Sequence, residues 1–249
     1  MNGHRNPLVS EYGQPHPRLK NVLKGIHRVQ GSSTRPRLPI TADILRRMCN
    51  ILNEGVFGPY VDLLLQSAFL LAFFGFLRCS EFTSTTHKFD PQHNLCFGDV
   101  TTTASNGQVS CLSVRLKSSK TDQFRRGFNL RLFPTGTAIC PVSTLLRFMS
   151  VRQAMCPSAS EPFFLLPERT SLDRNTFTTF LRTVLSRIGL RPDFFAGHSF
   201  RIGAATSAAA SQIPDHLIQT LGRWSSNCYR LYIRTSETSL RHAFQRLAS

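Results

Sequence analysis

Hydrophobic and polar positions along this chain change period twice, and the changes divide it into blocks. From Thr41 onward, Ile44, Leu45, Met48, Ile51 and Leu52 recur at helical spacing, with Thr41 placed to cap the first turn. A second block, from about Pro59 to Leu77, is apolar on every face, which predicts a buried helix stopping near Gly75. Between Asn94 and Phe133 the period shortens to two: Leu112, Val114 and Leu116 alternate with polar neighbours, as do Phe128, Leu130 and Leu132. Asn106-Gly107 reads as a hairpin turn between two such runs, so three antiparallel strands are expected. Helical spacing returns at Val142, Leu145, Leu146, Phe148 and Met149, then from Phe177 to Ile188, and in the segments 203–210, 214–222 and 227–247. The expected fold class is α+β, mainly α: a helical domain with a small three-stranded antiparallel sheet.

Residues 1–38 break this pattern, being rich in Pro, Gly, Ser, Arg and His with a short apolar patch at Val22, Leu23 and Ile26. They read as a linker or the remnant of an N-terminal domain, with the compact domain over 39–249. Hydrophobic residues make up 41% of the chain and include twenty Phe, enough for a core, which excludes a disordered basic tail. Thirty basic against fourteen acidic side chains leave a charge of +16, and a polyanion becomes the first partner to consider. With 25 Arg and 5 Lys, bidentate contact with phosphate is favoured over a diffuse solvated coat.

Seven cysteines without a CxxC pair or zinc-like spacing point to a reducing compartment rather than a disulfide scaffold or zinc finger. The first residues carry no apolar signal-peptide core, so secretion is not expected. The long apolar run Val61–Leu77 contains Asp62 and Gln66 and is too short for a membrane span.

Four places combine cations with groups that could do chemistry. Arg78 leaves the end of the apolar helix with Glu81 three residues later, within reach on one turn. Lys117 and Lys120, followed by Arg125 and Arg126, occupy the connection between two strands. His198 and Arg201 stand at the start of an Ala-rich helix, where free N–H groups and the dipole favour an anion. Arg223 and Trp224 precede Tyr229 and Tyr232. Singly, each has an ordinary structural reading: a capping ion pair, a solvated turn, a core histidine, packing aromatics.

Taken in order, the strings "FLRCSEF", "SKTDQ", "HSFRIGAA" and "LGRW", with a tyrosine near the end, resemble the catalytic domain of tyrosine recombinases, the phage-integrase family. Their style is most similar to recombinases of DIRS-type retrotransposons and Crypton transposons. The resemblance runs from about Pro39 to the end. It implies breaking and rejoining of DNA through a 3′-phosphotyrosyl intermediate, without metal, nucleotide or other cofactor.

By the same resemblance Tyr232 is the nucleophile, Arg78 and Arg201 clamp the non-bridging phosphate oxygens, and His198 and Trp224 bond to the phosphate or pack the site. Lys120 protonates the leaving 5′-oxygen, and Glu81 orients the arginine and histidine side chains. Lys117, Arg125, Arg126 and Arg223 are left as candidates for contact with the flanking DNA backbone. Trp224 and Tyr232 stand one position closer than in many family members, so Tyr229 competes for the nucleophile's place, and Lys117 competes with Lys120. "SKT" matches the family's lysine string better at Lys120, and Tyr229 reads as a packing aromatic ahead of Tyr232.

The chemistry agrees with those roles. A phenol with a pKa near 10 is a poor nucleophile at neutral pH and needs a cationic surround or a base. The expected partners are double-stranded DNA and further copies of the chain, since Leu240, Ala243, Phe244 and Leu247 form an apolar stripe suited to a neighbouring subunit. The expected location is the nucleus in a eukaryote and the cytoplasm otherwise. The same fold would also suit a catalytically silent DNA-binding protein of mobile-element origin, or a type IB topoisomerase-like relaxing activity.

Overall fold

The computed structural model describes residues 37–84, 88–117 and 127–235 without a break, and residues 21, 22, 25, 26, 237, 240, 241, 244 and 245 as separate positions. The chain divides into the units Met1–Pro36 and Arg37–Ser249. In the first, positions 21, 22, 25 and 26 are helical and exposed. The second holds the elements that follow.

Helix α1, Ala42–Glu54, starts where expected, with the Thr41 hydroxyl accepting from the Ile44 N–H. Helix α2, Pro59–Phe74, is buried on nearly all faces. Asp62, the polar interruption in the apolar run, accepts from the N–H groups of Val56, Phe57 and Gly58 at 3.0–3.1 Å and so closes the α1–α2 loop. The helix ends at Gly75, where an added Cβ would lie 2.7 Å from the Leu71 carbonyl and 2.8 Å from Leu130. Phe76 then turns the chain with a left-handed φ of 49°.

Strands β1, Val100–Ser105, β2, Gln108–Leu116, and β3, Phe128–Leu132, form one antiparallel sheet in the order β1-β2-β3. Asn106 and Gly107 both have positive φ, 51° and 76°, as a two-residue turn of matching twist requires. Leu112, Val114, Leu116, Leu130 and Leu132 face the core.

Helices α3, Pro141–Gln153, α4, Arg174–Arg187, α5, His198–Ala210, and the short α6, Asp215–Leu221, complete the domain. Helices α1, α3 and α5 pack against the buried α2. Phenylalanine rings tie the layers together: Phe69 of α2 stacks on Phe200 of α5 with centroids 5.3 Å apart, and Phe177 of α4 meets Phe82 at 5.1 Å.

Two close approaches place α5. A Cβ on Gly203 would fall 1.7 Å from the Ile40 carbonyl, so only glycine lets the helix lie against the chain entering α1, whose Ile40 N–H donates to Ser199 at 3.0 Å. A Cβ on Gly197 would meet Cys79 at 2.7 Å, which brings the start of α5 onto the turn after α2.

The segment 227–247 departs from its expected continuous helix. Asn227–Tyr232 is a tight 3₁₀ turn, and residues 233–235 are not helical. The reason is tertiary. Tyr229 is buried, and Thr206 on α5 donates to the Tyr232 carbonyl at 3.2 Å while accepting from the Arg234 N–H at 3.1 Å. Among the described residues no helix is long and apolar enough to cross a membrane.

Candidate active site

The turn after α2, the start of α5 and the segment after α6 converge on one place. Arg78 precedes the 3₁₀ turn Cys79–Glu81, and Glu81 folds back on it: its Oε2 accepts from the Arg78 N–H at 2.8 Å and its Oε1 from Arg78 Nη1 at 3.1 Å. The Glu81 carboxylate is almost wholly buried, whereas the Arg78 side chain is 21% exposed. Arg78 makes no other side-chain hydrogen bond among the described residues, so the rest of its fork faces outward.

Arg201, one turn into α5, is fully buried. It donates to the carbonyls of Phe76 at 2.6 Å and Gly222 at 2.7 Å. Its guanidinium lies 4.4 Å from the centre of the Trp224 ring and 5.6 Å from that of Tyr232. Burial first, then the charge of Arg78, pulls Arg201 down to about 10, so it stays charged at neutral pH.

Trp224 is held over Gly222, where an added Cβ would sit 1.7 Å from the indole ring. Tyr232, half-buried at the end of its 3₁₀ turn, is flanked by the rings of Trp224 at 5.1 Å and His198 at 5.2 Å. His198 is exposed, yet desolvation of its ring, followed by the charges of Arg201, Arg78 and Arg174, holds it below the ordinary histidine range. It is therefore neutral at pH 7 and can accept a proton.

The competing tyrosine is otherwise engaged. Tyr229 is 2% exposed and its hydroxyl donates to Asp215 Oδ2 at 2.8 Å, while Arg230 donates to that same hydroxyl at 3.3 Å. The Tyr232 hydroxyl makes no hydrogen bond among the described residues.

Arg78, Glu81, His198, Arg201, Trp224 and Tyr232 are thus brought together. Lys120, Arg125 and Arg126 lie outside the described residues. Two cations expected to reach outward to DNA turn inward instead. Lys117 donates to Asp99 at 2.6 Å, to the Pro91 carbonyl at 2.6 Å and to Cys96 at 3.0 Å; burial opposes its charge, but Asp99 and Cys96 prevail and raise it above the ordinary lysine value. Arg223 donates to Glu81 Oε2 at 3.1 Å and to the Gly75 carbonyl at 2.9 Å.

Sequence reasoning also missed Arg174, exposed at the start of α4, whose charge acts on His198. Its only local signal was the cap Asp173, which marks a helix start but not its neighbours in space.

Three guanidiniums (Arg78, Arg201 and Arg223) surround a single carboxylate here. Two buried donors, Arg201 Nε and Trp224 Nε1, have no acceptor among the described residues. An orphaned buried donor of this kind costs about 1–3 kcal/mol.

The helical layers and the small sheet form a fold shared with solved site-specific recombinases. No family model matches the chain. An integrase/recombinase XerD homologue of Selenomonas ruminantium is 24% identical over 201 residues, covering 78% of this chain and 53% of the relative. Solved structures with the same fold include XerH site-specific recombinase bound to palindromic difH substrate in a post-cleavage complex. It has a TM-score of 0.63 at 16% identity over 88% of this chain and 55% of that one. XerA recombinase reaches 0.61 at 15% identity, over 88% of this chain and 66% of that one. The Tn1549 transposon integrase with transposon right-end DNA reaches 0.55 at 15% identity, over 90% and 70%. The solved structures show that the chain has the fold of these recombinases, and the XerD homologue is a distant relative in sequence. It spans about half the length of that curated relative.

Proposed function

We propose that this chain is the catalytic domain of a DNA breaking-and-rejoining enzyme, a site-specific recombinase or integrase of mobile-element origin. The observation that carries the reading is the cluster of Arg78, Arg201 and His198 around the unbonded Tyr232 hydroxyl. A phosphodiester is an anion that such a cluster suits. Its transition state carries added charge on the equatorial oxygens, which fixed guanidinium forks stabilise without reorganising.

In this reading the Tyr232 oxygen attacks phosphorus and passes its proton to neutral His198. The bond to the 5′-oxygen breaks, and that oxygen takes a proton, from Lys120 by the family resemblance. The product is a 3′-phosphotyrosyl link with a free 5′-hydroxyl. Attack by a 5′-hydroxyl reverses the step and releases tyrosine, so the energy of the bond is kept and no nucleotide is consumed.

Double-stranded DNA is the proposed substrate, bound by several copies of the chain, with the exposed Leu240 and Phe244 available to a neighbour. The proposed location is the nucleus in a eukaryotic host. A DNA duplex nicked near the scissile site tests the reading: it should trap a covalent protein–DNA adduct that Tyr232→Phe abolishes. Tight DNA binding with no adduct from the unaltered chain would leave a silent DNA-binding protein instead. Relaxation of supercoils without paired sites would favour the topoisomerase-like activity.

A further inference from the structure

Arg223 and Arg201 together cross-tie two backbone segments. Arg201 donates to the carbonyls of Phe76 and Gly222, and Arg223 donates to the carbonyl of Gly75, which adjoins Phe76. The second fork arm of Arg223 reaches Glu81 Oε2, the oxygen that also takes the Arg78 N–H, while Oε1 takes Arg78 Nη1. Exposure grades inward along this chain of contacts, with side-chain values of 21% for Arg78, 14% for Arg223 and 1% for Glu81. Arg78 is the most exposed of the three.

The backbone at both ends of the tie is unusual. Phe76 and Arg223 adopt left-handed φ values of 49° and 55°. Glycine would take either conformation with less strain, so the side chain at 223 occupies its place against the local backbone preference. A lysine could not replace it in full, because only a planar fork spans a carbonyl on one side and a carboxylate on the other.

We propose that Arg223 is a positioning residue rather than a DNA contact: acting through Glu81, it aims the Arg78 fork at the scissile phosphate. It thereby also fixes the Arg78 turn to the segment that leads through Trp224 to Tyr232. The inference rests on the function proposed above. With Arg223 in place, Glu81 Oε2 is held by two donors and the carboxylate cannot rotate. Without it, Glu81 can swing toward Arg78 and draw the whole guanidinium inward, away from DNA.

The test uses the full chain with Arg223→Gln, Arg223→Lys and Glu81→Gln, measuring single-turnover adduct formation on a nicked duplex and DNA affinity across a series of salt concentrations. Arg223→Gln should slow adduct formation about 10²-fold, the scale of one lost transition-state donor. Its affinity and salt slope should match the unaltered chain. Arg223→Lys should recover about tenfold of that loss, since it restores the charge but not the fork. Combining Arg223→Gln with Glu81→Gln should cost no more than Glu81→Gln alone, because both act through one carboxylate.

A salt slope shallower by about 0.9 in Arg223→Gln would overturn the proposal, since that is the signature of one lost phosphate contact. Losses that multiply in the double variant would overturn it as well. Thermal unfolding of each variant identifies any that fails to fold; if Arg223→Gln does, Arg223→Lys carries the same two measurements. An unaltered chain that forms no adduct counts against the proposed function instead, while the salt slopes still decide whether Arg223 touches DNA.

Discussion

Two arginines among the described residues are wholly buried, and their surroundings differ in one respect. Arg152, on α3, is paired with a carboxylate: Nη2 donates to Glu161 at 3.3 Å and to the Pro162 carbonyl at 3.2 Å, Nη1 reaches the Met155 sulfur, and the guanidinium lies over Phe97. Arg201 has only two carbonyls and two aromatic faces, and the one carboxylate nearby is taken by Arg78 and Arg223. Among the described residues each leaves its Nε without an acceptor, and only beside Arg201 is there a second orphan, the Trp224 indole N–H. A buried guanidinium with its own counter-ion is a structural pin. One without a counter-ion of its own, as Arg201 is, keeps a charge that an incoming anion would stabilise.

Removing each guanidinium draws the contrast most sharply. Arg201→Gln should slow covalent adduct formation by about 10²- to 10³-fold, as loss of one fixed donor to a developing oxyanion does. Arg152→Gln should instead lower stability by about 1–3 kcal/mol by unpairing Glu161 and a buried carbonyl. Adduct formation per folded molecule should be unchanged, a split that chemical denaturation beside single-turnover cleavage resolves.

A smaller change on the Arg201 side comes from Gly222→Ala. The added methyl would overlap the Trp224 ring and push it off Arg201, while the chain there keeps an ordinary φ of −83°. About tenfold slower cleavage with a loss of about 1–3 kcal/mol is expected from such overpacking, read by kinetics and thermal melts.

The pH profile tests the electrostatics of the pocket. His198 sits below its usual value of about 6.5 because desolvation and three arginines disfavour its charged form. Its neutral form is the proton acceptor, so adduct formation should be level above pH 6.5 and fall only under more acid conditions. The stability sign follows: the unfolded chain binds this proton more readily than the folded one. The contribution of His198 is therefore complete above pH 6.5 and lost as pH falls below it. His198→Gln should flatten the acid limb of the rate profile.

The smallest effect belongs to the neighbouring tyrosine. Tyr229→Phe removes the bond to Asp215 and should cost about 1 kcal/mol of stability while leaving adduct formation in place.

These contrasts also mark what was legible in the chain. Local chemistry announced itself: Thr41 as a cap, the buried α2, Asn106-Gly107 as the hairpin turn and the alternation of β2 all occur where periodicity and turn preference put them. The order of Arg78, His198, Arg201, Trp224 and Tyr232 was readable as a pattern, and the fold brings those residues together. The direction in which a cation points was not. Arg223 and Lys117 carry no local mark of whether a carboxylate or solvent awaits them, because Glu81 and Asp99 approach only through tertiary packing. Nor did helical spacing after Asn227 reveal that Thr206 and Asp215 would hold that segment in a 3₁₀ turn.

The residue to which DNA becomes attached is decisive. Mass-spectrometric mapping of the peptide crosslinked to a nicked duplex should find the 3′-phosphoryl remnant on Tyr232, beside the unpaired charge of Arg201. Attachment at Tyr229, a 5′-linked adduct, or bound DNA with no covalent product would contradict it.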